Sequence, residues 1–275
     1  MIKSVPDIFI GIIFYCMITS IGLSDVKIFE YKKVGGKAKE IEVHFPKNHD
    51  KAKQVPAIIM FHGGAWKKGD RSQFRFLCEY FATRGLVAAT VTYTLGKGKQ
   101  ACITDAKSAI RWYKQNASDL GIDPKRIITG GGSAGGHISL LATTNPGLND
   151  PNDPKDIDTS VVAYLLFNPA LKPSKNKDVT FENFITENMP PMVAFWGTND
   201  IWLKGWNAAV KKLESLKNDS INWWTAEGQK HAFFNKEPWK TLTVIQSDKF
   251  LVKQGLLKGK PTLKAPDGKA LVKTK

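Results

Sequence analysis

The sequence has few cysteines, few acidic residues and only one long apolar run. Three cysteines among 275 residues, with no Cys-x-x-Cys or Cys/His pattern, exclude a disulfide-stapled scaffold and indicate no metal site. A single apolar run excludes a polytopic membrane protein. Glycine and proline are scattered and heptad repeats are lacking, which excludes collagen-like and coiled-coil architectures. Eight Trp and fifteen Phe, by contrast, provide the apolar bulk of a packed core.

The shortage of acidic residues leaves the chain strongly basic. Asp and Glu number 25 against 40 Lys and Arg, a formal net charge of +15. Such a charge is typical of proteins that meet nucleic acids or other polyanions. Because the lysines are dispersed and no recognition motif occurs, we expect no nucleic-acid partner. The charge instead favours weak association with an anionic polysaccharide or an anionic cell envelope.

The apolar run extends from Ile8 to Leu23, sixteen residues without a charge. Lys3 precedes it, and small residues at its end offer a site that a signal peptidase reads. The run is slightly short for a spanning helix, which needs about 20 residues. We therefore predict that residues 1–24 are a signal peptide and that the protein is exported to the periplasm or the outside. A retained membrane anchor and a buried helix are the alternatives.

Removal of that segment also removes Cys16, which leaves Cys78 and Cys102. In an oxidising compartment these two cysteines could pair, but nothing in their spacing requires it. Two buried free thiols are the other interpretation. The sequence leaves both open.

Apolar runs and amphipathic segments alternate through the rest of the chain. The predicted strands are 26–34, 40–45, 56–61, 86–93, 126–129, 161–167, 191–196 and 221–225. The predicted helices are 72–84, 101–117, 134–143, 203–216 and 238–254. This alternation predicts an α/β fold with a mostly parallel central sheet flanked by helices. We expect one catalytic domain over 25–262, opened by an antiparallel pair, and a surface-hugging or frayed tail over 263–275.

One glycine-rich turn carries a G-x-S-x-G pattern, Gly131-Gly132-Ser133-Ala134-Gly135. It follows a predicted strand and opens a predicted helix, which is the context in which this pattern presents a nucleophilic serine. The turn would hold Ser133 in strained backbone geometry at the carboxyl end of the sheet. A phosphate-binding turn or a plain tight turn is the alternative interpretation.

A second turn, His62-Gly63-Gly64-Ala65-Trp66, follows the predicted strand 56–61. It matches the H-G-G-x loop whose main-chain N–H groups face the oxyanion in lipases and esterases. Small residues are needed there because the N–H groups must come within about 3 Å of the oxyanion. An ordinary strand-ending turn is the alternative.

A serine of this kind needs a carboxylate and a histidine later in the chain. Asp200 closes a Gly-Thr-Asn-Asp turn after strand 191–196, and His231 follows strand 221–225. Both would lie at strand carboxyl ends, where open α/β sheets bind ligands. Of the five histidines, only His231 has the right order and place. Asp219 and Asp248 are the competing carboxylates.

Together these features resemble the α/β-hydrolase superfamily, and within it the esterases related to hormone-sensitive lipase and to bacterial carbohydrate acetyl esterases. The resemblance extends over about residues 40–262 and includes the stretches Asp105–Trp112, Gly121–Arg126 and Lys249–Thr262. It implies that Ser133 is the nucleophile, Asp200 the acid and His231 the base. It further implies that Gly64, Ala65 and Ala134 donate the oxyanion N–H groups.

Two departures from the family pattern bear on the substrate. Ala65 stands where the third glycine of H-G-G-G is usual, and its methyl group would narrow one side of the site. Only about 30 residues precede the first central strand after the predicted signal peptide, which leaves no room for a large cap domain. A lid, if present, would come from residues 145–158 or 172–188.

Aromatic residues cluster on segments that reach the predicted site. Trp66 and Trp202 are the candidates for substrate binding, with ordinary core packing as the alternative for each. The resemblance thus implies a secreted serine carboxylic-ester hydrolase that needs no cofactor or metal and acts on short acyl esters, acetylated carbohydrates among them. A catalytically inactive binding protein and a peptidase on the same fold are the alternatives. The sequence is silent on oligomeric state.

Overall fold

The computed structural model describes residues 25–275. The predicted signal peptide, residues 1–24, and Cys16 within it lie outside the described residues. No helix in the part that is described is both long and apolar enough to cross a membrane.

The secondary structure alternates as the sequence predicts. The strands are β1 (Asp25–Val34), β2 (Lys37–Phe45), β3 (Val55–Phe61), β4 (Val87–Val91), β5 (Ile122–Gly132), β6 (Ala163–Phe167), β7 (Met192–Gly197), β8 (Ile221–Ala226) and β9 (Val272–Lys273). The helices are α1 (Arg75–Thr83), α2 (Lys99–Gln115), α3 (Ala117–Leu120), α4 (Ala134–Thr144), α5 (Leu203–Ser215) and α6 (Trp239–Lys253). Short 3-10 turns cover Arg71–Phe74, Lys177–Val179, Phe181–Phe184 and Phe233–Asn235.

The nine strands within residues 25–275 form one sheet in the order β1-β2-β4-β3-β5-β6-β7-β8-β9. β1 and β2 form an antiparallel hairpin, and β2 pairs antiparallel with β4. The strands β4, β3, β5, β6, β7 and β8, which follow in this order across the sheet, run parallel to one another. Strands β4, β6 and β7 are buried along their whole length, and β3 is buried from Ala57 to Phe61, because helices cover both faces of the sheet. The predicted fold class, a mostly parallel sheet flanked by helices, is confirmed.

Each face of the sheet has its own apolar core. Helices α2 and α4 pack on one face and contribute Ile103, Ile110 and Ile138, while α1 and α6 cover the other. Cys102 belongs to the first core and Cys78 to the second. Both thiols are free and buried, so the sheet separates them and the disulfide alternative is wrong.

Three local predictions differ from the structure. The segment predicted as one helix over 72–84 begins as a 3-10 turn, because Asp70 caps it by accepting from Ser72 N. The strand predicted over 126–129 is longer in the structure, since β5 begins at Ile122 and its pairing with β3 is irregular near that end. The C-terminal tail does lie on the surface, but it also adds β9 to the sheet through antiparallel pairing with β8.

The first lid candidate, residues 145–158, is fixed to α2 and to β1. Arg111 binds Asp153 at 2.9 Å, and Lys32 binds Asp150 at 2.5 Å. The buried Lys107 donates to the main-chain oxygen of Asn145. These bonds cross several turns of the loop, which indicates a docked segment rather than a free lid.

The second candidate, residues 172–188, is anchored at three points. The ring of His137 hydrogen-bonds to the oxygen of Val179 at 2.9 Å, and Asn145 donates to Asp178 O at 2.8 Å. Asn218 donates to the oxygen of Glu187 at 2.8 Å. This segment forms a fixed wall over α4 and α5, and residues 25–275 contain no separate cap domain over the carboxyl ends of the strands.

Candidate active site

Ser133 stands at the sharp turn between β5 and α4. Its backbone has φ 51° and ψ −116°, a region that residues with a side chain rarely adopt. Two hydrogen bonds hold this geometry: Ser133 N donates to Phe167 O, and Ser133 O accepts from Ala170 N, both at 2.9 Å. The strained turn directs the hydroxyl away from the sheet, as the G-x-S-x-G pattern predicts.

The glycines around Ser133 are required by close packing. A Cβ on Gly135 would lie 1.9 Å from Phe61 O, and one on Gly131 would lie 2.3 Å from the same oxygen. Helix α4 can therefore begin directly against β3 only because these positions lack a side chain. The motif sets the distance between the nucleophile turn and the neighbouring strand.

The three residues predicted as a triad meet at this point. His231 Nε2 lies 2.7 Å from Ser133 Oγ, and His231 Nδ1 lies 2.8 Å from Asp200 Oδ2. The second oxygen of Asp200 accepts from Trp202 N at 2.9 Å. The Asp200 side chain is fully buried, whereas that of His231 is 26% exposed. The imidazole is thus fixed on one side and open to a ligand on the other.

The competing carboxylates are engaged elsewhere. Asp248 is buried in α6, where it binds Arg84 Nε at 2.7 Å and the hydroxyl of Tyr80 at 2.6 Å. Asp219 is 88% exposed beside Lys275. Neither of these carboxylates hydrogen-bonds to His231.

The predicted oxyanion loop lies directly against the nucleophile turn. A Cβ on Gly63 would lie 3.4 Å from Ser133 Cβ and 3.0 Å from Gly132 O. Gly64 has φ 116° and Ala65 φ 54°, so the chain turns sharply directly after Gly63. Within the described chain, Gly64 N and Ala65 N donate to no acceptor, and Ala134 N belongs to the unpaired first turn of α4.

Gln73 is a site residue that the sequence patterns did not reveal. Its Oε1 accepts from Gly63 N at 2.6 Å, and its Nε2 donates to Asn235 Oδ1 at 3.0 Å. Asn235 ends the short turn that follows His231. One side chain therefore links the oxyanion loop to the histidine loop. A glutamine in a 3-10 turn carries no motif, so only the fold could identify it.

Asn168 is a second such residue. It is fully buried, and its amide is best oriented with the oxygen accepting from Ala232 N at 3.1 Å and the nitrogen donating to Phe167 O at 2.9 Å. Ala232 follows His231 directly. Asn168 thereby ties the end of β6 to the loop that carries the histidine.

The predicted substrate residue Trp202 packs beside the triad. Its ring centroid lies 6.3 Å from that of His231. It lines an open cleft of about 540 Å³, and the side chains that form this cleft are mainly apolar. The lining residues are Leu171, Lys172, Pro173, Ile201, Trp202, Lys204, Gly205 and Ala208. Ile201, at the rim, is 83% exposed.

The other predicted substrate residue, Trp66, is the last residue of the predicted oxyanion loop. Its ring meets His137 edge-on, with centroids 5.2 Å apart, and Lys99 Nζ stands 4.3 Å from its centroid. Burial lowers the pKa of His137 to about 4, so this histidine is neutral at physiological pH. Its Nε2–H donates to Val179, and it supports Trp66 rather than acting on a substrate.

Core packing accounts for the remaining tryptophans near the site. Trp196 and Trp206 are fully buried, and Trp223 packs on Trp206 with centroids 6.2 Å apart. Trp202 is partly exposed and lies beside His231, whereas Trp66 is partly exposed and contacts His137. No group of His, Cys, Asp or Glu within residues 25–275 is arranged to hold a metal ion.

Comparison with known proteins gives consistent matches. The family model BD-FAE matches residues 41–165. The chain is 33% identical over 149 residues to the probable carboxylic ester hydrolase LipM of Mycobacterium tuberculosis, which covers 52% of this chain and 33% of LipM. It is 27% identical over 216 residues to Esterase LipC of the same organism, covering 66% of this chain and 54% of LipC. The chain thus spans about half or less of the length of these curated relatives.

Solved structures match over nearly the whole domain. The apo form of Thermogutta terrifontis esterase 2 superposes with a TM-score of 0.81 and 34% identity, over 86% of this chain and 97% of that one. Its propionate-bound form gives 0.80 and 33%, over 86% and 96%. With the predicted fold, the nucleophile turn and this match in agreement, the chain belongs to the α/β-hydrolase superfamily, in the group of carboxylic ester hydrolases.

Proposed function

We propose that the protein is a serine esterase that cleaves short-chain acyl esters through an acyl-enzyme. The observation that carries this proposal is the continuous hydrogen-bonded series from Ser133 Oγ through the His231 ring to Asp200. A serine hydroxyl is a weak nucleophile on its own and becomes effective when an adjacent base accepts its proton.

In the first half of the reaction Ser133 Oγ attacks the ester carbonyl while His231 Nε2 accepts the hydroxyl proton. Asp200 holds Nδ1–H and stabilises the imidazolium that forms. The N–H groups of Gly64, Ala65 and Ala134 receive the oxyanion of the tetrahedral intermediate. His231 then gives its proton to the leaving alkoxide, which departs as the alcohol and leaves an acyl-serine.

In the second half water replaces the alcohol. His231 removes a proton from the water as it attacks the acyl-serine, and the same N–H groups receive the second oxyanion. Collapse of this intermediate releases the carboxylic acid, and His231 returns the proton to Ser133 Oγ. Every proton moves through one imidazole nitrogen, which the structure holds at 2.7 Å from the serine.

Several observations support a short acyl group. Ala65 adds a methyl group to the oxyanion loop, which leaves less room beside the nucleophile turn than a glycine would. Thermogutta terrifontis esterase 2 has been solved with propionate and with butyrate bound. The exposed face of Trp202 would suit a sugar ring, so acetylated carbohydrates are the natural substrates that we favour. The apolar segment over residues 8–23 supports a site of action outside the cytoplasm.

The test is hydrolysis of 4-nitrophenyl acetate and 4-nitrophenyl butyrate. We expect the wild-type protein to cleave both and Ser133→Ala to retain less than a thousandth of kcat. Ser118→Ala, an exposed serine on α3, is the matched control and should behave as wild type. Equal rates for wild type and Ser133→Ala would reject the assignment of the nucleophile. A folded wild-type protein without any esterase activity would favour the binding-protein alternative, and cleavage confined to peptides would favour the peptidase.

A further inference from the structure

Trp66 has an unusual backbone conformation for a residue with a large side chain. Its φ is 61°, and that of Ala65 before it is 54°, both in the left-handed region that bulky residues rarely adopt. Such conformations persist only where surrounding contacts hold them. Gly64 and Ala65, which directly precede Trp66, carry N–H groups that we assign to the oxyanion. The contacts that hold Trp66 therefore also hold the segment that carries these groups.

Main-chain hydrogen bonds hold this turn in part. Lys67 N and Lys68 N both donate to Gly64 O, at 3.1 Å and 3.0 Å, and Trp66 O accepts from Gly96 N at 2.9 Å. None of these bonds reaches α4, the helix that Ser133 opens. The link from Trp66 to that helix is made by its side chain.

The ring of Trp66 is contacted from two helices. The ring of His137, in α4, meets it edge-on, with centroids 5.2 Å apart and planes at 83°. The ammonium of Lys99, the first residue of α2, stands 4.3 Å from the centroid of the same ring. An edge-on aromatic pair and a cation beside an aromatic ring are both attractive arrangements. The end of the oxyanion loop is thus fixed to elements outside the loop.

His137 is itself held firmly. Its N–H donates to the main-chain oxygen of Ser133 at 3.2 Å, and its ring hydrogen-bonds to Val179 O at 2.9 Å. The residue is only 1% exposed, so it is not available to a substrate. His137 therefore connects Trp66 to the main chain of the nucleophile and to the wall formed by residues 172–188.

We propose that Trp66 and His137 are positioning residues of the esterase reaction, and that their ring contact fixes the oxyanion loop relative to Ser133. This inference rests on the esterase function proposed above. It gives Trp66 a role different from substrate binding and from ordinary core packing. A displaced loop would weaken the hydrogen bonds from Gly64 N and Ala65 N to the oxyanion, so loss of the contact would act on the transition state.

The test compares kcat and KM for a small ester, methyl acetate, and a bulky one, 2-naphthyl acetate. Trp66→Leu and His137→Leu each remove one ring and keep an apolar side chain. We expect each to lower kcat about tenfold for both esters, with KM within about twofold, because the oxyanion forms only after binding. A rise in KM that is larger for 2-naphthyl acetate would overturn the inference in favour of substrate contact.

Trp66→Phe is the conservative variant. Within residues 25–275 the indole nitrogen of Trp66 donates to no acceptor, so phenylalanine retains a ring at the contact and loses no hydrogen bond. We expect kcat to stay within about threefold of wild type. If the two rings act through one contact, the double leucine variant should lose little more than either single variant. Multiplied losses would contradict a shared contact.

Trp112→Leu is the matched control. Trp112 is also partly exposed, it packs on Phe29 with centroids 5.4 Å apart, and it lies about 20 Å farther along α2 than Lys99. We expect a lower Tm and an unchanged kcat. Unchanged kcat in both leucine variants at 66 and 137 would overturn the inference, as would an equal loss in Trp112→Leu. Should a leucine variant at 66 or 137 not fold, Lys99→Met removes only the ammonium beside the ring. It should lower kcat about twofold, and no loss would count against the contact.

Amide hydrogen exchange over residues 62–69 separates this inference from the function on which it rests, since it needs no turnover. Gly63 N, Lys67 N and Lys68 N are hydrogen-bonded, so their exchange reports on the loop. We expect exchange about tenfold faster in Trp66→Leu and His137→Leu, and unchanged in Trp112→Leu. If wild type cleaves no ester, the proposed function fails while exchange still tests the contact. If esters are cleaved but exchange and kcat are unchanged in both leucine variants, the positioning role alone fails.

Discussion

Nδ1 of His231 lies 2.8 Å from Oδ2 of Asp200, and the carboxylate that it meets is fully buried. The proton on Nδ1 is thereby fixed, which leaves Nε2 as the acceptor toward Ser133. A histidine in this tautomer can take a proton from the serine without rearrangement.

Replacing the carboxylate by an amide tests this relationship. Asp200→Asn keeps the shape but favours the wrong tautomer of His231 and removes the charge that stabilises the imidazolium. We expect kcat for 4-nitrophenyl acetate to fall by about 10³- to 10⁴-fold with little change in Tm. The exposed Asp219→Asn provides the control and should retain wild-type kcat. Similar losses in both variants would remove Asp200 from the triad.

Gln73 is expected to act by positioning the oxyanion loop. Gln73→Leu would leave Gly63 N without its acceptor and separate the loop from Asn235. We expect kcat to fall about tenfold with a smaller change in KM, because the loop acts on the transition state. Gln115→Leu, on an exposed position of α2, is the control. A larger effect on KM than on kcat would assign Gln73 to substrate binding instead.

The effect of Trp202 on KM should increase with the size of the alcohol portion of the ester. In Trp202→Ala the cleft loses its aromatic wall, so bulky alcohols lose apolar contact area. We expect KM for 2-naphthyl acetate to rise about tenfold while KM for methyl acetate stays within about twofold. Equal changes for both esters would indicate that Trp202 acts through His231, which it contacts, rather than through the substrate.

Glu42 governs the expected acid sensitivity of the fold. It is buried in β2, and burial by itself would raise its pKa. Hydrogen bonds from Arg75, Arg71 and His44 outweigh that effect and lower the pKa of Glu42 from 4.5 to about 2. The carboxylate therefore stabilises the native state above about pH 4.5, and this contribution is lost as the pH falls toward 2.

The matched variants are Glu42→Gln and Glu30→Gln. Urea unfolding at pH 7 should show Glu42→Gln destabilised by about 3 kcal/mol, and the difference from wild type should shrink as the pH is lowered to 3. Glu30 forms only an exposed pair with Lys33, and its substitution should cost less than about 1 kcal/mol at any pH. A pH-independent difference for Glu42→Gln would contradict the proposed ion network.

The sheet and the triad could be predicted because strong local signals mark them. Continuous apolar runs such as 56–61 and 191–196 belong to strands buried on both faces, and the parallel order follows from the helices between them. Ser133, Asp200 and His231 each follow the carboxyl end of a predicted parallel strand, so their approach at one edge of the sheet follows from topology. Gly131 and Gly135 are also visible in the sequence, and their lack of a Cβ allows the nucleophile turn to pack against β3.

Other features depend on contacts between distant segments and could not be predicted. β9 has only two paired residues, and it forms because β8 offers an open edge. Gln73 and Asn168 acquire their roles from partners far along the chain. Ion pairs fix residues 145–158 on α2, although the composition of this segment is that of a flexible loop. Contacts between residues so far apart in the chain leave no pattern in the local sequence.

The central claim is that Ser133 forms the covalent intermediate. The most direct measurement is the intact mass and peptide map of the protein after treatment with an alkyl fluorophosphonate. We predict one phosphonyl group on Ser133 in the wild type, a much slower reaction in Asp200→Asn and no labelling of Ser133→Ala. Labelling of any other residue, or no labelling of a folded wild-type protein, would contradict the account.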